Sequence, residues 1–114
     1  MTTAIAQFMR ELEQIWDDHT DALLARRDVA ASLTAVGPVP SVLHIPAMTG
    51  AVGSEDLQRF YAEDFLPHLP GDLVLARISR TVDRFRLVDE LTVSFTHDQA
   101  LPWLLPGVAR KSVV

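Results

Sequence analysis

The sequence predicts an α+β domain in which helices cover one side of an antiparallel sheet. Three observations predict it. Apolar residues recur at helical spacing near the N-terminus, two shorter helical segments flank a brief extended run, and two long β-rich runs with a tight turn between them follow. The 114 residues fit one domain and leave no room for two, so a single domain spanning residues 1–114 is expected.

The first helix is predicted from the spacing of its apolar residues. These recur at intervals of three and four and form one stripe: Ile5, Phe8, Met9, Leu12, Ile15, Trp16 and Leu23. Thr2 or Thr3 can cap the start of this helix. A stripe of this kind is stabilised mainly by packing, so the helix needs a partner surface.

A second helix and a short strand are predicted next. Asp28 is a good N-cap and predicts a helix over 29–35, which Gly37 and Pro38 end. An extended run at 41–45 lies between two prolines. Because proline cannot donate to a sheet ladder, this run is expected to be a short or edge strand.

A loop and a third helix follow. The small residues at 47–53 predict a loop. Ser54 predicts the N-cap of the helix, and Glu55 and Asp56 stand in its first turn, where the helix dipole favours acids. The apolar side of this helix consists of Leu57, Phe60, Tyr61 and Phe65.

Two long strands are predicted at 73–82 and 86–97, because both runs are rich in Val, Leu, Ile, Thr and Phe. Residues 83–85 form a short turn between them, which predicts an antiparallel hairpin. The second strand alternates, and one of its faces carries Leu87, Asp89, Leu91, Val93, Phe95 and His97. Its other face carries Val88, Glu90, Thr92, Ser94, Thr96 and Asp98. An apolar loop follows at 99–108.

Composition and charge exclude several classes of function. The net charge is -5 and no basic block occurs, which argues against a nucleic-acid binder. The chain has no Cys, which excludes disulfides, thiolate metal sites and a Cys nucleophile. Its His residues are scattered, and no Gly-x-Ser-x-Gly elbow or glycine-rich phosphate loop occurs, so no metal or other cofactor is expected. Apolar runs are too short to cross a membrane and no signal pattern begins the chain, which predicts a cytoplasmic protein.

Three local patterns carry a resemblance to a known family. The first is Val42-Leu43-His44-Ile45-Pro46 followed by Thr49-Gly50, and the second is Leu57-Gln58-Arg59-Phe60-Tyr61. The third runs from Val88-Asp89-Glu90 through Phe95-Thr96-His97-Asp98 into Pro102-Trp103-Leu104-Leu105-Pro106-Gly107. Together with the order of elements, they resemble the SnoaL-like branch of the nuclear transport factor 2-like superfamily over about residues 7–108.

The resemblance implies a cone, in which a strongly curved antiparallel sheet wraps a long N-terminal helix and a pocket lies between them. It also implies a homodimer that pairs through the sheet. Relatives continue into further strands after the Pro-Gly loop, so the chain is expected to be C-terminally short relative to the family. Family members include polyketide cyclases, a ketosteroid isomerase, dehydratases and epoxide hydrolases, and also many proteins with no known activity.

Two functions are open at this stage. The first is a pocket protein for a small, apolar carbonyl compound, with cofactor-free acid–base chemistry such as proton abstraction beside the carbonyl or activation of water. The second is a non-catalytic ligand-binding or dimerisation module, accessory to a dienelactone-hydrolase-type enzyme. A chain without the last strands can also lack activity altogether.

The candidate catalytic residues are His97, His44 and Glu90. His44 has apolar neighbours on the short strand, where it either polarises a ligand carbonyl or is satisfied by the backbone. His97 is expected at a pocket rim, and Glu90 either acts as an acid or base or pairs with an arginine across the hairpin. The candidate ligand-binding residues are Trp16, Phe60, Tyr61, Phe95 and Trp103. For Trp103 a lid or wall over a ligand pocket, a dimer contact and packing on the sheet edge are all open.

Overall fold

The computed structural model describes residues 2–34, 37–45 and 47–104. Within them the chain is mixed α+β, which confirms the predicted class. The described residues fall into two compact units. The first unit comprises 2–34 and 75–93, and the second comprises 37–45, 47–74 and 94–104. Parts of the predictions above fall on Ala35, Pro46 and residues 105–114, which lie outside the described residues.

The helices of the first unit agree with the sequence pattern. Helix α1 spans Thr2–Thr20, and Asp21–Ala25 continue it as a π-helical turn. Helix α2 spans Val29–Ser32 and is shorter than the predicted 29–35, because Leu33 and Thr34 form a turn. The predicted N-cap is confirmed, because the Asp28 side chain accepts a hydrogen bond from the Ala31 amide at 3.0 Å. None of the described helices is long and apolar enough to cross a membrane.

Much of the apolar stripe on α1 is nevertheless exposed. Phe8 is 60% exposed, and Ile5 and Ile15 are 43% and 45% exposed. Only the end of the stripe is buried, at Leu23 in the π-helical turn. The described residues therefore leave most of this helix without the partner surface that its sequence calls for.

The predicted hairpin is confirmed. Strand β3 spans Val74–Val82 and strand β4 spans Leu87–Ser94, and the two form a two-stranded sheet. Asp83 builds the turn: its amide donates to the Arg86 carbonyl at 2.9 Å, and its Oδ1 accepts from the amides of Phe85 and Arg86 at 2.7 Å each. These backbone hydrogen bonds hold the pKa of the Asp83 carboxyl below its ordinary value.

Strand β4 ends at Ser94, three residues before the predicted end at His97. The reason is the Asp72 carboxylate, which accepts hydrogen bonds from the amide and the hydroxyl of Thr96. An amide that donates to a side chain cannot donate to the neighbouring strand, so the chain leaves the ladder here. His97 consequently lies in a coil, and the alternation of a strand does not determine its direction.

An arginine on β3 joins the hairpin to α1 within the first unit. Arg80 donates to Asp89 on β4 at 2.7 Å and to Asp17 on α1 at 2.7 Å, and it reaches Glu13 at 3.4 Å. The side chains of Arg80 and Asp89 are each 10% exposed. Hydrogen bonds from Arg80 lower the pKa values of Asp17 and Asp89, so both of these carboxylates are charged at neutral pH.

The second unit begins with a two-stranded ribbon, of which the sequence predicted the first strand but not the second. Strand β1 spans Ser41–His44 and pairs in antiparallel fashion with β2, which spans Thr49–Val52. The prediction of a loop at 47–53 is wrong. Gly50 explains why: a Cβ atom there would lie 1.9 Å from the Val42 carbonyl oxygen, so only glycine permits this close pairing. Small residues that normally signal a loop therefore form a strand.

Helical segments complete the second unit. Helix α3 spans Ser54–Arg59, a π-helical turn follows at Phe60–Phe65, and a 3₁₀ turn spans Leu66–His68. The predicted N-cap is wrong by one residue, because Gly53 occupies it and makes no side-chain cap. The buried apolar residues of this unit are Leu57, Phe60, Tyr61, Phe65, Leu69 and Leu101.

The described strands form two separate sheets, β1–β2 and β3–β4, rather than the single sheet predicted. Each has two strands and runs antiparallel. The wrapped cone implied by the family resemblance stays a prediction.

Candidate functional site

The candidate site lies in the second unit, where aromatic rings surround His44. The imidazole stacks on Phe65 with ring centroids 5.5 Å apart, and it lies 5.2 Å from the Trp103 ring and 5.6 Å from the Phe60 ring. Phe65 and Trp103 are closer still, at 4.8 Å. These contacts define an aromatic cluster of His44, Phe60, Tyr61, Phe65 and Trp103.

Three elements bring the aromatic cluster together. His44 is the last residue of β1, and three of the rings come from the π-helical turn Phe60–Phe65. Trp103 comes from the loop after β4 and is held at two points. Its indole Nε1 donates to the His68 carbonyl at 3.3 Å, and its own carbonyl accepts from the Thr49 hydroxyl. The ring is therefore positioned by both its edge and its main chain.

The Thr49 hydroxyl also determines which nitrogen of His44 carries the proton. Its Oγ1 lies 3.4 Å from His44 Nδ1. A hydroxyl has one proton, and that of Thr49 is donated to the Trp103 carbonyl, so its oxygen can only accept from the imidazole. We therefore assign the proton to Nδ1, which leaves the lone pair on Nε2.

Burial keeps this imidazole neutral. His44 is half-buried against aromatic rings, and desolvation of its charged form lowers its pKa. Within the described residues, its Nε2 makes no hydrogen bond. His44 at neutral pH is thus an uncharged ring with a free basic nitrogen.

A cavity of about 280 Å³ adjoins the aromatic cluster. It is lined by Met48, Thr49, Gly50, Phe60, Asp64, Pro102 and Trp103. Known small-molecule sites begin at about 300 Å³, so this volume suits a compact ligand. The sequence left three roles open for Trp103: a lid or wall over a pocket, a dimer contact, and packing on the sheet edge. In the structure Trp103 forms part of the cavity wall.

His97 is a second unusual histidine of this unit. Its side chain is 3% exposed, and its Nε2 has no hydrogen-bond partner among the described residues. Leaving such a buried polar atom unpaired costs about 1–3 kcal/mol. A buried nitrogen without a partner calls for an explanation, such as a catalytic role or a bound water molecule or ion.

The other predicted site residues are distributed over both units. Phe95 is half-buried in the second unit. Trp16 and Glu90 belong to the first unit, where the Trp16 indole donates to Asp89 at 3.3 Å and the exposed Glu90 accepts from the Ser79 hydroxyl at 3.1 Å. Of the predicted residues, the structure thus brings together His44, Phe60, Tyr61 and Trp103.

Three residues of the site were not singled out by the sequence. Phe65 was predicted as a core residue of the third helix, and its contact with His44 depends on the fold. Thr49 could be paired with His44 only by recognising β2, which small residues conceal. Asp64 carried one usable signal, since it stands four residues after Phe60 and so on the same side of a helix.

The chemistry of this site rests on its own residues. It offers a neutral base, aromatic walls and one carboxylate. Among the described residues, no three His, Asp or Glu side chains are grouped so as to hold a metal ion.

No protein-family model matches the chain, and no similar protein is found among curated proteins or solved structures.

Proposed function

We propose that this chain is a SnoaL-like protein whose second unit binds a small, mainly apolar carbonyl compound. The observation that carries the proposal is the state of His44. Its Nδ1 proton is directed at Thr49, its Nε2 lone pair is free within the described residues, and its ring lies in an aromatic cluster beside a cavity. A base in apolar surroundings suits the removal of a proton from carbon, because the reacting groups are kept from water.

The reaction we propose needs no cofactor. His44 Nε2 accepts a proton from the carbon beside the carbonyl, and the electron pair of the broken C–H bond forms the enolate. In a β,γ-unsaturated ketone, return of this proton from the imidazolium to the γ-carbon completes an isomerisation. In a saturated ketone, the imidazolium exchanges the proton with solvent before one returns to the α-carbon, which gives hydrogen exchange. Either route restores the neutral imidazole. The unpartnered Nε2 of His97 is the group that we propose as the hydrogen-bond partner of the ligand oxygen.

The cone of the SnoaL-like family is part of this proposal. The long α1 and the antiparallel hairpin are elements that such a cone requires. The exposed stripe on α1 supports it as well, because a helix at the centre of a cone has apolar residues for a sheet to cover.

Exchange of carbon-bound hydrogen tests the proposed chemistry. With 4,4-dimethylcyclohexanone in deuterated water, the protein is expected to speed loss of the ketone α-proton signals in NMR spectra. His44→Gln should lower the catalysed rate by about a hundredfold or more, and His97→Gln should lower it to a similar degree. His68→Gln, in the same unit, is the matched control and should keep the full rate. An unchanged rate in His44→Gln would show that His44 is not the base.

A second candidate function is pairing with another copy of the chain through the hairpin. Ile78 and Val88 are 62% and 63% exposed, and Leu91 and Val93 are 41% and 46% exposed. Unpaired strand edges with apolar side chains recruit other strands. A homodimer of this kind would bury about 1,600 Å² in total.

Light scattering coupled to size exclusion decides the oligomeric state at micromolar concentration. The unmodified chain is expected to be a dimer, and Ile78→Glu is expected to be a monomer. Val52→Glu changes an equally exposed apolar residue in the second unit and should leave the dimer intact. A monomeric unmodified chain would refute the pairing.

A further inference from the structure

We propose that the cavity beside the aromatic cluster selects ligands that carry an organic ammonium group, held between the Asp64 carboxylate and the rings of Phe60 and Trp103. This inference rests on the proposed function, because the same cavity is used. It adds a charge requirement to a ligand so far described only as apolar and carbonyl-bearing. The ligand class is therefore a compact ketone with a cationic nitrogen at its other end.

The charge of the cavity lining points to a cation. Asp64 is exposed, and it is the one charged residue among the described residues that line the cavity; it makes no hydrogen bond or ion pair with them. No Lys, Arg or His contributes to that lining. An unpaired carboxylate on a cavity wall favours a positive ligand group and disfavours a negative one.

The rings define what kind of cation fits. Phe60 is buried and Trp103 is half-buried, and the faces of such rings attract a cation through their quadrupole. Met48, which also lines the cavity, carries a polarisable thioether. A metal ion needs several oxygen ligands, which one carboxylate cannot supply, whereas an alkylated ammonium group sheds water readily and packs against rings.

The neutral state of His44 is compatible with this ligand. Burial already lowers the pKa of the imidazole, and a cation bound in the adjoining cavity further disfavours its protonation. The base and the ammonium group thus do not compete for the same proton. His44 does not itself line the cavity, but its ring contacts Phe60 and Trp103, which do. A ligand whose charge lies at Asp64 and whose carbonyl reaches past these rings toward His44 would use both groups.

Two probes of the same shape isolate the contribution of the ligand's positive charge to binding. The cation 1,1-dimethyl-4-oxopiperidinium and the neutral 4,4-dimethylcyclohexanone differ only in nitrogen for carbon at one ring position. Each is titrated into the full chain while the indole N–H signals are followed by NMR. Trp103 reports on the cavity, and Trp16, the only other tryptophan and part of the first unit, is an internal reference.

We expect the cation to bind about tenfold more tightly than the neutral ketone. Asp64→Asn should reduce this ratio to about twofold or less and leave the affinity for the neutral ketone unchanged. Glu63→Gln removes the same charge from the neighbouring exposed residue, which does not line the cavity, and should keep the tenfold ratio. Added salt should weaken binding of the cation alone.

The outcomes separate this inference from the proposed function. If both probes shift the Trp103 signal with equal affinity, or if Asp64→Asn keeps the tenfold ratio, the ammonium preference is wrong while the ketone site stands. If neither probe shifts the Trp103 signal, the proposal of a ketone-binding site is itself wrong. Tighter binding of the neutral probe would also overturn the charge requirement.

Discussion

The two units of the chain differ in how they use apolar residues. Among the described residues, six of the eight buried hydrophobic residues belong to the second unit, and Ala22 and Leu23 belong to the first. The first unit instead joins its helix to its hairpin through the charges around Arg80. One unit therefore has an aromatic core, whereas the other has an ionic link and apolar surfaces that the described residues do not cover. The comparison shows that amphipathic sequence predicts a helix well but does not say what covers it.

Deleting an aromatic ring from each unit should give the largest difference. Phe65 is 5% exposed and touches four other rings, so Phe65→Ala is expected to lower the free energy of unfolding by about 3 kcal/mol. Phe8 on α1 is 60% exposed, and Phe8→Ala should change the free energy of unfolding by about 0.5 kcal/mol or less. Urea unfolding of both variants measures the two values.

Equal losses of unfolding free energy in these two variants would contradict the difference between the two units. A loss near 3 kcal/mol for Phe8→Ala would mean that the stripe on α1 is covered in solution, for instance in a dimer. Repeating the measurement across protein concentrations then distinguishes a covering partner from the chain itself, because pairing makes stability depend on concentration.

The ionic link of the first unit should give the next largest effect. Arg80→Met leaves the Asp89 carboxylate, which is 10% exposed, without its cation. We expect a loss of about 2 kcal/mol, less than for a fully buried pair because Asp17 is half exposed. Arg77→Met on the same strand is the control; Arg77 acts on Asp17 and Asp89 only through its charge, so a smaller loss is expected. Hydrogen exchange should show faster exchange of the hairpin amides in Arg80→Met and unchanged exchange in the second unit.

The smallest effect should come from pH and should lie in the second unit. Since burial lowers the pKa of His44 below 6.5, the unfolded chain takes up this proton more readily than the folded chain. The stability linked to His44 is therefore fully present above pH 6.5 and is lost as pH falls through the folded pKa. Urea unfolding across this range should show a steeper decline in the unmodified chain than in His44→Gln. Parallel curves would show that His44 is not desolvated.

Sequence reasoning succeeded where the signal is local. Helical spacing predicted α1, and the Asp28 cap and the turn at Asp83 are short-range hydrogen-bonding patterns that residue type alone indicates. Pairing of Glu90 with an arginine across the hairpin was also among the alternatives; the structure instead pairs Arg80 with Asp89, one residue earlier, and bonds Glu90 to Ser79. The extension of the Arg80 pairing to Asp17 was not predicted, because nothing local places a residue of α1 beside a strand that lies 63 positions later.

The site was less accessible to such reasoning. His44 and three aromatic neighbours were named as candidates, but as separate residues rather than as a cluster. The control of the His44 tautomer by Thr49 depends on pairing between β1 and β2, which one glycine makes possible. The direction of His97 was inferred from strand alternation, and a single carboxylate, Asp72, ends that strand before it reaches His97. Such tertiary contacts override patterns that are read one segment at a time.

The hairpin also determines the order in which the protein can assemble as it is made. Residues 75–93 interrupt the second unit, so the ribosome releases His44 and the π-helical turn first, then the hairpin, and Trp103 last. The hydrogen bond from Thr49 to Trp103 spans 54 positions, whereas the hairpin closes through neighbours at Asp83. The hairpin can therefore form early, while the aromatic rings around His44 remain incomplete until Trp103 has emerged from the ribosome. A nascent chain whose Trp103 has not yet emerged from the ribosome would present those rings to chaperones. A nascent chain whose Trp103 has emerged would not.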